Sequence, residues 1–164
     1  MGLYFFRRMG VFSLLLCGFM LSVFFSPVMG EPLNSVTPQG SWQTIDDVSN
    51  QPRSVMLLTV SKEGELTGKI TKINYRPGEG EGDVCAKCRG SLHNARILGL
   101  TILTGMKQNK LNPLLWEGGQ IVDPESGKSY RCKMNLSPDG KQMIVRGFIM
   151  FSFIGRNQTW VRLF

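Results

Sequence analysis

The chain has 164 residues, 19 Lys and Arg against 12 Asp and Glu, a formal net charge of +7, and 42% hydrophobic residues. That length suits a single domain with one core of its own. The basic residues fall one or two at a time, with no cluster and no interleaved aromatics, which argues against a nucleic-acid partner.

Arg7 and Arg8 precede an apolar run from Met9 to Phe25, and Val28-Met29-Gly30 stands before Glu31. A positive region, an apolar stretch and a small-residue site in that order predict a secretory signal peptide over residues 1–30. An uncleaved anchor helix is the alternative, because the apolar run nearly spans a bilayer. Cys17 would leave with the peptide. The remaining domain, residues 31–164, keeps 17 basic and 12 acidic residues, a net charge of +5. It is expected to be periplasmic or secreted, with no stable membrane insertion after processing.

Turn residues then punctuate the chain at short intervals, among them Asp46-Asp47, Glu63-Gly64, Asn112-Pro113 and Pro138-Asp139-Gly140. Between them lie segments rich in Val, Ile, Thr, Phe and Trp, none of which makes a long amphipathic helix. Eight strands are expected, near 40–45, 54–62, 65–75, 98–106, 116–122, 129–136, 141–150 and 153–163. The segment 97–106 fits a short helix nearly as well, and Thr101, Ile102 and Thr104 favour the strand. YRCKMNL, residues 130–136, alternates strictly, so Tyr130, Cys132, Met134 and Leu136 share one face. Eight strands joined mostly by tight hairpins predict an all-β, antiparallel, up-and-down barrel closed on itself. Residues 76–96 form the one long irregular stretch, expected as a surface loop or lid.

That stretch carries Cys85 and Cys88. Their spacing is that of a redox dithiol, but such a motif belongs between a strand and a helix. With His93 and Cys132 they would also supply four ligands of types zinc accepts. An oxidising compartment favours a Cys85–Cys88 disulfide, with Cys132 left as a buried small hydrophobe; a bridge from either to Cys132, zinc, or free thiols are the other readings. Glu79, Glu81 and Asp83 alternate with glycine and match no calcium loop. His93 is the sole histidine, and no nucleophile and base pair up, so neither an enzyme, nor a metal, nor a cofactor is expected.

Four stretches together, GSWQTIDD (40–47), the CxxC loop, GGQIVDPESGKSYRC (118–132) and RGFIMFSFIGRNQTWVR (146–162), resemble the bacterial family labelled "domain of unknown function 2147". The resemblance implies secretion and a lipocalin-like barrel, with no activity established for the family. Gly40-Ser41-Trp42 is similar to the GxW that opens the first lipocalin strand, where the Trp closes one end. In lipocalins an Arg near the end of the last strand crosses that indole; Arg162 matches it best and Arg156 second. A guanidinium stacked on an indole contributes roughly 0.5–2 kcal/mol.

An oily strand face can look at a core, a ligand or lipid. The first and third strands are too short or too sparsely apolar for a membrane barrel, and Arg162 stands where lipid would require an apolar group. At about 24 cal/mol per Å³, an empty apolar hole of about 300 Å³ would cost on the order of 7 kcal/mol, comparable to the stability of a domain. The interior is therefore filled, or it holds water at polar groups or a ligand. Tyr130, Met134, Leu136, Ile144, Phe148 and Met150 are candidate fillers, while Gly68, Gly147 and Ser152 leave space. The expected function is non-enzymatic binding of a small apolar or amphipathic molecule by Tyr130, Met134 and Phe148, with Arg146 anchoring a negative end and Trp42 and Arg162 closing the barrel. The alternatives are an envelope interaction protein with a filled barrel and a protein partner, or a thiol or zinc protein using the CxxC loop.

Overall fold

The computed structural model describes residues 36–164 apart from Ser152; the expected signal peptide lies outside the described residues. Eight strands form a closed barrel in sequence order: β1 (Gly40–Ile45), β2 (Pro52–Val60), β3 (Glu65–Ile73), β4 (Thr101–Gln108), β5 (Leu115–Asp123), β6 (Lys128–Leu136), β7 (Gln142–Phe148) and β8 (Gly155–Arg162). Every pairing is antiparallel, and β1 closes on β8 through Trp42↔Arg162 and Thr44↔Trp160. Closure leaves no sheet edge to be protected.

Alternation decides which residues fill the barrel. On β6, Cys132, Met134 and Leu136 are buried and Tyr130 half-buried, while Arg131 and Asn135 are exposed. The oily face of YRCKMNL thus points inward. On β7 the phase is one residue away from that expected: Met143 and Val145 are buried, whereas Ile144 is 41% exposed. The register Leu136↔Met143 and Met134↔Val145 fixes this, because directly opposed residues share a face. Ile144 is therefore an outer residue and not a filler, and Met150, 70% exposed, is not one either.

One half of the barrel is packed solid. Opposed pairs Leu66↔Met106, Trp116↔Met134 and Met143↔Trp160 lay large side chains across it, and Gly68, expected to leave space, leaves none, because Leu58 opposite it fills the room: a Cβ there would lie 2.7 Å from Leu58 Cδ2. Trp42, Leu66, Met106 and Met134 are fully buried there. The loops at this end are the short hairpins β2–β3, β4–β5 and β6–β7. The other four connections, β1–β2, β3–β4, β5–β6 and β7–β8, gather at the opposite end.

The β3–β4 connection is longer than the rest and better fastened than a solvated loop. It contains a short 3-10 turn (Gly90–Leu92) and an antiparallel bridge between Val84 and Arg96. Residues 98–100, expected to begin the fourth strand, instead turn across β3, with the Gly99 N–H donating to Ile70 O and the Ile70 N–H donating to Leu100 O, both at 2.9 Å.

Candidate functional site

The packed end is sealed by Trp42. Its indole Nε1 donates to Pro38 O at 2.7 Å, and the Arg162 guanidinium carbon lies 4.4 Å from the ring centroid. Arg162 also donates to three backbone carbonyls, Gly140 O at 2.6 Å, Gln39 O at 2.7 Å and Thr37 O. One side chain therefore fastens the segment before β1 and the β6–β7 turn across the indole. Arg156, the second candidate for that place, pairs instead with Asp47 at the opposite end of β8.

The other half of the barrel is hollow. A cavity of about 920 Å³ opens between the four loops of that end. Met56, Ile70, Ile121, Tyr130, Val145 and Trp160 contribute to its apolar wall. Gly147 lies in the same wall; a Cβ built there would meet its first neighbours, Tyr130 Cβ and Ile121 Cγ2, at only 3.5 and 3.7 Å, so the missing side chain is what leaves the space. The volume lies in the range of small-molecule sites, and its open end admits water, so it escapes the cost of a sealed dry void.

The rim is charged and self-paired. Arg53, 19% exposed at its side chain, binds Glu79 and Glu125 at 2.7 Å each. Arg76 binds Asp46 at 2.8 Å and approaches Glu125 at 3.7 Å. These pairs join β2, the β1–β2 loop, the β3–β4 connection and the β5–β6 turn. Burial pulls the Arg53 guanidinium down, but its hydrogen bonds to Glu79 and Glu125 outweigh this and hold it above the ordinary value. The Arg53 hydrogen bond, then the Arg76 backbone N–H, lower Glu79. Among the described lining residues, five carboxylates (Asp46, Glu79, Asp83, Asp123, Glu125) face three guanidiniums (Arg53, Arg76, Arg156), so the mouth is acid-rich on a basic protein.

The predicted site residues separate into three places. Tyr130 is in the cavity wall, and Phe148 joins the rim where β7 runs into its loop. Met134 is fully buried in the packed half, below the cavity. Arg146 is outside the barrel, where it donates to Asn157 Oδ1 at 2.7 Å and to Phe153 O at 3.0 Å. The expectation that it anchors a ligand inside is corrected: Arg146 opposes Lys133, and the phase that turns Met134 and Val145 inward turns both cations outward. Reading the residues missed the rim arginines, because ion pairs between residues 26 to 109 positions apart leave no local trace; Arg53–Glu79 and Arg156–Asp47 are examples.

Cys85 and Cys88 are joined in a disulfide, and both are buried. The bridged loop is pressed onto the β5–β6 turn, where Gly127, at φ +70°, faces the Lys87 carbonyl: a Cβ there would lie 2.1 Å from that oxygen, so only glycine permits the contact. Cys132 is free and buried, and burial pushes its thiol up to about 12. His93 is exposed, with Nδ1 3.1 Å from Cys88 O. Among the described residues no three His, Cys, Asp or Glu side chains are grouped as a metal site would require, and no helix is long and apolar enough to cross a membrane.

No curated protein matches the sequence. Among solved structures, protein HP1028 from the human pathogen Helicobacter pylori, described as belonging to the lipocalin family, superposes with a TM-score of 0.65 at 17% identity, covering 78% of this chain and 84% of that one. The likeness is one of fold. Residues 40–162, from the first strand to the last, match the family described as "Uncharacterized protein conserved in bacteria (DUF2147)", and the chain belongs to that family.

Proposed function

We propose that the protein is a non-enzymatic carrier or receptor of a small molecule with an apolar body, acting outside the cytoplasm. The observation that carries this reading is the cavity of about 920 Å³ with an apolar wall and an open mouth. The Cys85–Cys88 bridge is in keeping with an oxidising compartment. The rim defines the polar end of the ligand. Its three guanidiniums are each engaged by carboxylates, so a ligand carboxylate entering there would have to displace one. A neutral or cationic end meets no such competition, and the ligand class is revised accordingly from one with a negative end.

The test uses an uncharged naphthylamine dye whose emission rises in apolar surroundings, with displacement by a long-chain alcohol, the matching amine and the matching fatty acid. The wild type should bind the dye and release it to the alcohol and amine more readily than to the acid. Gly147→Leu should fill the space between Tyr130 and Ile121, weaken dye binding at least about tenfold and leave the fold intact, because that backbone accepts a side chain. A wild type that does not bind the dye, or a Gly147→Leu variant that binds it equally well, would refute the assignment.

A further inference from the structure

The β7–β8 loop is out of character with the other three loops at the mouth. Where those carry Asp, Glu and Arg, this one reads Ile149-Met150-Phe151-Ser152-Phe153-Ile154. Its described side chains are turned to solvent: Ile149 is 57% exposed, Met150 70%, Phe151 55%, Phe153 75% and Ile154 61%. Phe151 and Phe153 stack on each other with ring centroids 5.5 Å apart, forming one apolar knob. Met150 has φ +60°, a left-handed conformation uncommon for a residue with a Cβ. A contiguous exposed apolar patch of this kind marks a contact surface.

From this geometry we infer that the β7–β8 loop is a lipid-docking tip, which sets the mouth of the barrel against a bilayer surface so that ligand passes between membrane and cavity. Two observations select lipid as the occupant. The first is continuity: Phe148, the last residue of β7, and the loop residues Ile149 and Ile154 all line the cavity. An apolar path thus runs from the exposed tip into the site. The second is charge. Just behind the tip, on the outer face of β6 and β7, Arg131 is opposite Phe148 and Lys133 opposite Arg146. An apolar tip backed by cations is the combination that binds anionic bilayer surfaces peripherally.

The same strip disfavours a second copy as the occupant, since a two-fold contact through the tip would bring both sets of cations together. The acidic stretches Asp46–Asp47, Glu79–Asp83 and Asp123–Glu125 are at the β1–β2, β3–β4 and β5–β6 connections, so the barrel would meet the surface on its β7–β8 side. The passage of ligand rests on the cavity's being a binding site; the docking itself does not.

The experiment uses Asn34–Phe164, which holds every strand of the closed barrel and forms a compact unit by itself. This removes the apolar segment of residues 9–25, which would bind lipid on its own account. Co-sedimentation is measured with vesicles of phosphatidylcholine alone and of phosphatidylcholine mixed with phosphatidylglycerol. The wild type should bind the mixed vesicles more tightly. Phe151→Ser with Phe153→Ser should weaken binding to both at least about tenfold, with an unchanged melting profile, because both side chains are already in solvent. Arg131→Gln with Lys133→Gln should abolish the preference for the mixed vesicles and keep the residual binding to phosphatidylcholine. Dye binding without vesicles should survive the double-serine change, which separates docking from the cavity assignment: loss of wild-type dye binding would refute the latter alone. Absence of vesicle binding, equal binding by the double-serine variant, or a dimer in sedimentation velocity that this variant dissolves in place of vesicle binding, would overturn the lipid-docking tip.

Discussion

At the level of single residues, short-range chemistry was easier to read than charge placement. Trp42 and Arg162 could be matched through the GSW stretch, and the structure puts the guanidinium on the indole. Arg146 could not be placed, because its facing depends on the β6–β7 register, which is set by a turn and not by the strand's own pattern. Asp46 shows how much a turn can rest on one carboxylate. Its Oδ1 accepts from the Ser49 N–H at 2.7 Å, the Ser49 hydroxyl at 2.8 Å and the Val48 N–H at 3.2 Å, and Arg76 binds its other oxygen. The Ser49 backbone bond, then the Ser49 hydroxyl, bring the carboxyl from 3.8 to about 2. A folded pKa below the unfolded one means stability present above the unfolded value and lost as pH falls through the folded value. Asp46→Asn should therefore cost about 1 kcal/mol at neutral pH, reduced from the full linkage value by solvent screening, and the difference from wild type should fade between about pH 4 and pH 2. Denaturant titrations of both proteins at a series of pH values check this; a gap that persists undiminished at pH 2 contradicts the assigned role of the carboxylate.

At the level of elements, the eight strands were legible because alternation and turn residues are local signals. Their bounds moved by up to three residues where a long-range contact intervened, as at 98–100, where Ile70 captures the chain before β4 begins. The β3–β4 connection was legible only as irregular. What makes it a fastened flap, buried Cys85 and Cys88 against the β5–β6 turn and Glu79 held by Arg53, lies in contacts far apart in sequence. A disulfide closing so small a loop contributes about 2 kcal/mol by chain entropy. Replacing both cysteines by Ser should consequently loosen the flap without dissolving the barrel. Hydrogen exchange by mass spectrometry should show faster exchange across residues 76–99 with β5 to β8 nearly unchanged. Uniform loss of protection across all strands would mean that the bridge supports the whole domain instead.

At the level of the whole molecule, one sequence pattern serves two purposes along the same strands. β6 presents Tyr130 to the cavity and, four residues on, Met134 to the packed half, yet both look identical to a count of alternating apolar positions. Nothing local marks where core ends and site begins. The division arises from what faces each residue across the barrel: Trp116 is directly opposite Met134, whereas Tyr130 is bordered by Ile121 and Gly147, which leave its ring beside open space. The two halves should accordingly respond differently to truncation. Met134→Ala removes a fully buried side chain from a region with no slack and should cost about 2–5 kcal/mol. Ile121→Ala removes atoms that already face the cavity, so it should cost less than about 1.5 kcal/mol while weakening dye binding. Urea denaturation and dye titration of the two variants would measure both effects. Equal destabilisation by the two changes, with dye affinity untouched by either, would show that the hollow end is packed in solution and that the barrel is a single core from end to end.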